Sequence, residues 1–385
     1  MIEPKIRILH AIRQGKVGGG ETHVLQLAQF LNSDKFDLYV LSFTDGPMID
    51  QLNACHIQNK VIPVHSPANL LFWIKLYRYL RQVQPHVIHV HGSRAAAFLL
   101  PIARILRIPV VYTIHGWSIH PDQGFIKFHF RRFFERWITS NATVNVNVSI
   151  ADQQIGNKYF QNYHAEIVHY GIDVSRFSGS SMRRNIRSEF NVPDDAILFG
   201  FIARMTVQKQ PLFLLRAFEK LISSHNVDNV YLLMVGNGEL RTEVENFIES
   251  HPQFSRYVRL SDFRQDVAEI LSAIDIYCLP SLWEGMPIGL LEALSSGKIV
   301  LVSDISQNTE VVSDGINGYV FRVNDLNSIL NKMNFLITHF NELSHIGSEA
   351  NRTIHRSFTI HQSISQIERI YERAIRTHEH FVYAS

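Results

Sequence analysis

Short apolar runs alternate with segments of helical period along almost the whole chain, and this alternation limits the fold more tightly than any single motif. Runs rich in β-branched and aromatic residues at 6–12, 36–43, 60–64, 86–91, 110–115 and 142–148 read as strands. Helical patterns fit between them, for example at 21–31, 70–83 and 95–106. Strands that alternate with helices run parallel with crossover connections, which predicts a doubly wound α/β sheet. The pattern then breaks near Gly171, where a serine- and arginine-rich polar stretch over 175–189 follows. It restarts with strands at 196–203, 230–235, 258–260, 274–280, 298–303 and 318–323. Helices are expected at 212–222, from Pro287 to a stop at Gly297, and from about Asp325 onwards. A chain of 385 residues exceeds one ordinary core, so two similar domains with a cleft between their sheets are expected.

Composition excludes several classes. The formal charge of +2 balances 37 basic against 35 acidic residues, so nothing draws the whole chain to nucleic acid. Cys55 and Cys278 lie in separate apolar contexts; neither a disulfide framework nor a zinc site is expected, and a reduced cytoplasmic compartment fits. The 20 histidines are mostly scattered singly. Lys5-Ile6-Arg7-Ile8 alternates charge with apolar residues from the start, unlike a targeting signal. The longest apolar stretch, 95–103, is too short to span a membrane and contains Pro101.

The densest chemistry lies between the runs at 274–280 and 298–303, a strand, loop, helix, strand unit. In open α/β sheets ligands bind at the carboxyl ends of strands, and Glu284 falls in that loop. Glu292, in the second turn of the helix, leans back towards the same crevice. Between the two lie helix N-terminal amides, which favour an anion such as phosphate. Carboxylates repel phosphate, so the glutamates suit hydroxyls of a ribose or a sugar; otherwise Glu284 caps the helix and Glu292 is solvated. Arg204 and Lys209 leave the end of the strand at 196–203 and could clamp a diphosphate, or form a solvated pair.

In the first half, Gly18, Gly19 and Gly20 separate a strand from a helix, either a phosphate-compatible turn or a plain tight one. The pattern is not G-x-G-x-x-G, which disfavours a dinucleotide site. Two strands end in histidine followed by glycine, at His91-Gly92 and His115-Gly116. A neutral imidazole there can meet a substrate hydroxyl, or it bonds nearby backbone. Aromatics and cations mix over 125–138, a pattern of helices on anionic membranes and also of helices whose aromatics are core.

Taken together and in order, these residues resemble the retaining GT-B glycosyltransferases of family 4 over nearly the whole chain. The likeness is carried by Gly18-Gly19-Gly20-Glu21, Ile114-His115-Gly116, Gly171-Ile172-Asp173, Arg204 with Lys209, and Val235-Gly236-Asn237-Gly238. Its longest block runs from Pro280-Ser281 to Glu292-Ala293, a Glu-x7-Glu pair, and Gly315-x-x-Gly318 also fits. The resemblance implies a GT-B fold of two Rossmann-like doubly wound parallel-sheet domains, 1–170 on the acceptor side and 171–369 on the nucleotide-sugar side. It also implies a last helix, 370–385, returning to the first domain.

By the same resemblance, donor diphosphate is held by Arg204, Lys209, Gly18, Gly19 and the backbone after Gly285, and the donor site also takes in Gly20, Gly236, Gly285, Met286, Pro287, Ile288, Gly289 and Leu290. Glu284 would read the donor sugar, Glu292 the ribose and Phe263 the nucleobase, with His115 at the transferred sugar. One departure stands out: where the family has a glycine pair before a glutamate, this chain reads Ser306-Gln307-Asn308-Thr309-Glu310.

The implied reaction moves a hexose or N-acetylhexosamine, from a UDP-sugar first and GDP-mannose next, to a glycan or lipid-linked saccharide of the cell surface. Peripheral contact with the inner face of an anionic membrane would suit it. Arg204, Lys209 and the helix amides can stabilise the departing diphosphate, so no metal and no cofactor is expected. Competing readings are a sugar-nucleotide epimerase on the same architecture and a catalytically silent sugar-nucleotide-binding subunit. A Rossmann dehydrogenase is weaker, lacking its glycine signature.

Overall fold

The computed structural model describes residues 4–16, 18–64, 66, 68–119, 124–177, 183–225 and 229–383. Val17 of the glycine-rich loop, residues 178–182 of the polar stretch, and Ser385 lie outside them. The chain divides into two compact units, Met1–Gly171 with Ile360–Ser385, and Ile172–Thr359.

The first unit is built on seven parallel strands: β1 (Ile6–Ile12), β2 (Phe36–Ser42), β3 (Gln58–Val61), β4 (Val87–His91), β5 (Val110–Ile114), β6 (Val144–Asn147) and β7 (Glu166–Ile167). Their order is β3-β2-β1-β4-β5-β6-β7, so the winding reverses between β1 and β4. Side chains alternate between the faces. Leu9, Ala11, Ile88, Val90, Val110 and Tyr112 point to one, under the helices Leu70–Val83, Ser93–Leu106 and Phe125–Asn141. Ile8, Val87 and Val111 point to the other, under Gly19–Phe30 and Ile360–Tyr383. The edge strand β3 lies nearer the N-terminus than the expected 60–64, because its alternately exposed residues Gln58 and Lys60 give little apolar signal.

The returning C-terminal segment begins earlier than 370. Ile360, Ile364 and Ile367 already recur at helical spacing and are buried with Ile370, Tyr371 and Ala374 against Val87, Val111 and Val146. The helix therefore belongs to the first unit from its first residue.

The second unit repeats the plan with six parallel strands: β8 (Ile197–Ile202), β9 (Val230–Val235), β10 (Val258–Ser261), β11 (Ile276–Leu279), β12 (Ile299–Ser303) and β13 (Tyr319–Phe321). Their order is β10-β9-β8-β11-β12-β13, with the reversal between β8 and β11. Helices Pro211–His225 and Leu326–Thr338 bury Leu214, Phe218, Ile329 and Met333 against Phe199, Phe201 and Leu301. Asp325 caps the second of these, accepting from the amides of Asn327 and Ser328 at 3.0 and 2.9 Å.

The polar stretch is more than a linker. It contains the helix Arg183–Glu189, whose Arg187 is buried and donates to Asp275 Oδ2 at 2.7 Å and to the carbonyls of Ala273, Pro193 and Ala196 at 3.0, 2.8 and 2.9 Å. Asp275 also accepts from the Leu198 amide at 2.8 Å, so this pair ties the segment to the sheet.

Candidate active site

Both sheets reverse their winding where two neighbouring strands feed loops that run in opposite directions, and such switch points open ligand crevices at the strands' carboxyl ends. In the second unit those strands are β8 and β11. The loop after β8 carries Arg204, Gln208 and Lys209; the loop after β11 carries Ser281 and Glu284. The two loops are stitched together by the Leu282 amide donating to the Gln208 carbonyl at 2.8 Å.

Glu284 is 8% exposed and fully engaged. Its Oε1 pairs with Lys209 Nζ and accepts from Ser281 Oγ at 2.5 Å; its Oε2 accepts from Gln208 Nε2 at 3.2 Å. Behind it, Ser303 Oγ donates to the Ser281 carbonyl at 2.6 Å, and Asn308 Nδ2 donates to the Ser303 carbonyl at 3.0 Å. Asn308 lies in the stretch that departs from the family pattern, here the short helix Ser306–Thr309. Its side chain buttresses the strand end that orients Ser281.

The alternative reading of Glu284 as a helix cap is not met: the helix Ile288–Ser295 has Pro287 as its N-cap and no side-chain cap. Met286, Ile288 and Leu290 bury their side chains, so only their backbone could meet a ligand. The Leu290 amide donates to the Pro287 carbonyl at 3.0 Å, and proline has no N–H, which narrows the expected set to the amides of Gly285, Met286, Ile288 and Gly289, the last two at the helix start. Glu292 is half-buried, and burial pushes its carboxyl up to about 7, with the charge of Arg176 working the other way. Among the described residues its carboxylate accepts no hydrogen bond, so hydroxyl donors would suit it.

Arg204 and Lys209 leave the same strand but differ in state. Lys209 is committed to Glu284 through one of its three donors, whereas Arg204 is exposed and forms no ion pair among the described residues. Gly236 and Gly238 have a packing reason. A Cβ on them would stand 2.1 Å from the Ala203 carbonyl oxygen and 2.3 Å from that of Met205, so the loops after β8 and β9 approach backbone to backbone. Phe263 follows the edge strand β10, separated from β8 by β9, and is 44% exposed.

In the first unit the loop after β1 and the end of β5, next to β4, bring Gly20 and His115 together: a Cβ on Gly20 would rest 3.5 Å from the His115 ring. Gly18 is the N-cap of Gly19–Phe30, and the Glu21 carboxylate folds back to within 2.6 Å of where its Cβ would be. A hydroxyl therefore suits Gly18 better than the expected phosphate. His115 Nδ1 bonds Tyr170 Oη, and its Nε2 lies 3.0 Å from His91 Nδ1. Burial pushes the His115 imidazole down to about 3, so the ring is neutral. His91, the other strand-end histidine, is its direct partner. Gln208 and Tyr170 escaped sequence reasoning, and Ser281 belongs to a motif that gives it no role.

Two Rossmann-like parallel sheets in one chain, each with polar groups at its switch point, define a GT-B fold. Anabaena HepE, solved with UDP and glucose, superposes with a TM-score of 0.84 at 19% identity, over 96% of this chain and all of that one. The lipopolysaccharide outer core galactosyltransferase WaaB does so with a TM-score of 0.68 at 15% identity, over 97% and 99%. The family models described as Glycosyltransferase Family 4 and Glycosyl transferases group 1 match residues 17–176 and 196–339, and the chain belongs to this family of glycosyltransferases. Among its relatives, the Escherichia coli UDP-Gal:alpha-D-GlcNAc-diphosphoundecaprenol alpha-1,3-galactosyltransferase is 24% identical over 95% of this chain and 97% of its own length. The Escherichia coli O-antigen biosynthesis glycosyltransferase WclY is 23% identical over 78% and 80%.

Proposed function

We propose that this glycosyltransferase moves a hexose or N-acetylhexosamine from a UDP-sugar to a hydroxyl of a lipid-linked saccharide, with retention and without a metal. The observation that carries the reading is the Lys209–Glu284 pair at the β8/β11 switch point, beside a helix start and a desolvated Glu292. Arg204, the remaining N–H groups of Lys209 and the amides of Ile288 and Gly289 offer positive ends to a diphosphate whose charge grows as it departs. Glu284, held by three side chains, accepts from a donor-sugar hydroxyl; Glu292 accepts from the ribose. His115 contacts the transferred sugar, and Phe263 stacks on the base.

With Glu284 paired to Lys209 and Glu292 assigned to the ribose, neither carboxylate is an obvious nucleophile, which favours attack on the same face as departure. The acceptor oxygen bonds to the anomeric carbon as the carbon–phosphate oxygen bond breaks, and a donor phosphate oxygen takes the acceptor's proton. A UDP-sugar is favoured over GDP-mannose because the galactosyltransferase relative is named for UDP-Gal and HepE was solved with UDP. The same relative is named for a diphosphoundecaprenol acceptor, which favours a lipid-linked one here. Contact with an anionic membrane fits the helix Phe125–Asn141, which exposes Phe125, Ile126, Phe130 and Phe133 beside Lys127 and Arg136.

Thermal unfolding with UDP-, GDP- and ADP-sugars tests the donor. At a ligand concentration of about 100 Kd the fold gains about 2.7 kcal/mol, so UDP-sugars are expected to raise Tm and ADP-sugars to leave it unmoved. A larger shift with GDP-mannose would overturn the UDP assignment, and no shift with any of them would overturn the donor site.

A further inference from the structure

The histidines that look scattered in the sequence converge in the first unit. On β1 and β4 the residues alternating with core-facing Leu9, Ile88 and Val90 are His10, His89 and His91, and His10 pairs in register with His89. They point to the face covered by the C-terminal helix. There, Thr113 Oγ1 lies 2.7 Å from His89 Nε2, and Tyr371 Oη lies 2.7 Å from His89 Nδ1 and 3.1 Å from His10 Nε2. His10 Nδ1 is 2.9 Å from His91 Nε2, and His91 Nδ1 is 3.0 Å from His115 Nε2, whose other nitrogen meets Tyr170. One unbroken line of hydrogen bonds thus runs from Thr113 to Tyr170.

We propose that this line locks the four histidines into one shared tautomer, making Tyr371 and Thr113 positioning residues that set which nitrogen of His115 carries its proton. A neutral imidazole has one N–H and one lone pair, so each junction fixes the next. If Tyr371 donates to His10, then His10, His91 and His115 each carry the proton on Nδ1, and His89 must donate from its own Nδ1 to Tyr371. If Tyr371 donates to His89, all four carry it on Nε2. A mixed state, with Tyr371 accepting from both neighbours, leaves its buried O–H without a partner in the line.

Burial favours neutrality throughout: it pushes His10 down to about 3 and His89 and His91 well below the usual imidazole range. His10, His89 and His91 are also close enough together to hold a metal ion. Their lone pairs and N–H groups are already spent on one another, on Tyr371 and on Thr113, and among the described residues no buried carboxylate joins them to offset a dication's charge.

The consequence for transfer rests on the proposed role of His115; the lock itself does not. The test is nitrogen-15 NMR of histidine side chains in the full chain. Thr113→Val leaves His89 Nε2 without a donor or acceptor, and an orphaned lone pair is tolerated better than an orphaned N–H. All four histidines are then expected as Nδ1–H. Tyr170→Phe, at the other end, is expected to give Nε2–H at all four. Tyr371→Phe uncouples the ends, leaving His89 as Nε2–H with the other three as Nδ1–H. The same His89 tautomer in Thr113→Val and Tyr170→Phe would overturn the lock, as would mixed tautomers in the wild type or a stoichiometric transition metal on the purified protein. Kinetics then separate the two claims: Thr113→Val and Tyr170→Phe, which hold His115 in opposite tautomers, are expected to differ about tenfold in kcat at similar KM. Equal kcat in the two variants alongside the expected tautomers would overturn the role of His115 and leave the lock standing.

Discussion

Glu292 carries a carboxylate that burial has pushed from 4.5 to about 7, and this makes its charge costly to the fold. Between those two values the folded chain holds a proton that the unfolded chain releases, so this group's contribution to stability is full below pH 4.5 and is lost as pH rises through about 7. The buried histidines act in the opposite sense. With His10 and His115 lowered from 6.5 to about 3, the unfolded chain takes up protons first, and stability falls as pH drops below 6.5. Urea unfolding from pH 4.5 to 8 separates the two. Glu292→Gln is expected to gain on the order of 2 kcal/mol over wild type at pH 8 and almost nothing at pH 4.5. A pH-independent difference would contradict the assignment of the buried charge.

At the scale of the element, Phe125–Asn141 turns two faces outwards and inwards. Ile138 is buried, with Phe128, Phe134 and Trp137 packed beside it, while Phe125, Ile126, Phe130 and Phe133 stand 68–83% exposed. The core reading of the aromatic and basic pattern is met on the inner face, and the exposed outer face is the one proposed to lie on lipid. If the outer face lies on lipid, the chain co-sediments with phosphatidylglycerol vesicles more than with phosphatidylcholine, and Phe130→Glu with Phe133→Glu reduces this about tenfold or more. Equal sedimentation of wild type and variant would contradict the contact.

Elements of this kind were legible because their apolar residues repeat at 2 or 3.6. The helix Arg183–Glu189 was not, because Arg187 is buried by hydrogen bonds that span the sequence to Asp275, and no local pattern announces such a bond. The same holds for Gln208, which reaches Glu284 from 76 residues away. The histidine line left a clue in His89 and His91, two apart on one strand and so on one face, but its partners Tyr371 and Tyr170 arrive from distant segments.

Across the whole molecule, two units of the same winding each gather polar side chains where strand order reverses. In the second unit these are charged, Lys209 with Glu284; in the first they are neutral, the histidines that end at His115. Two parallel sheets were readable from the alternation, whereas the return of the chain at Ile360 was written only in the spacing of its isoleucines.

Transfer itself is the most direct measurement: the purified chain is incubated with UDP-galactose, UDP-glucose or UDP-N-acetylglucosamine and a GlcNAc-diphosphate-lipid, and the lipid is weighed by mass spectrometry. The lipid is expected to gain one sugar residue from one of these donors, and Glu284→Gln to slow that gain at least about 100-fold while still being stabilised by UDP. A lipid of unchanged mass beside an epimerised nucleotide sugar, or undiminished turnover in Glu284→Gln, would contradict it.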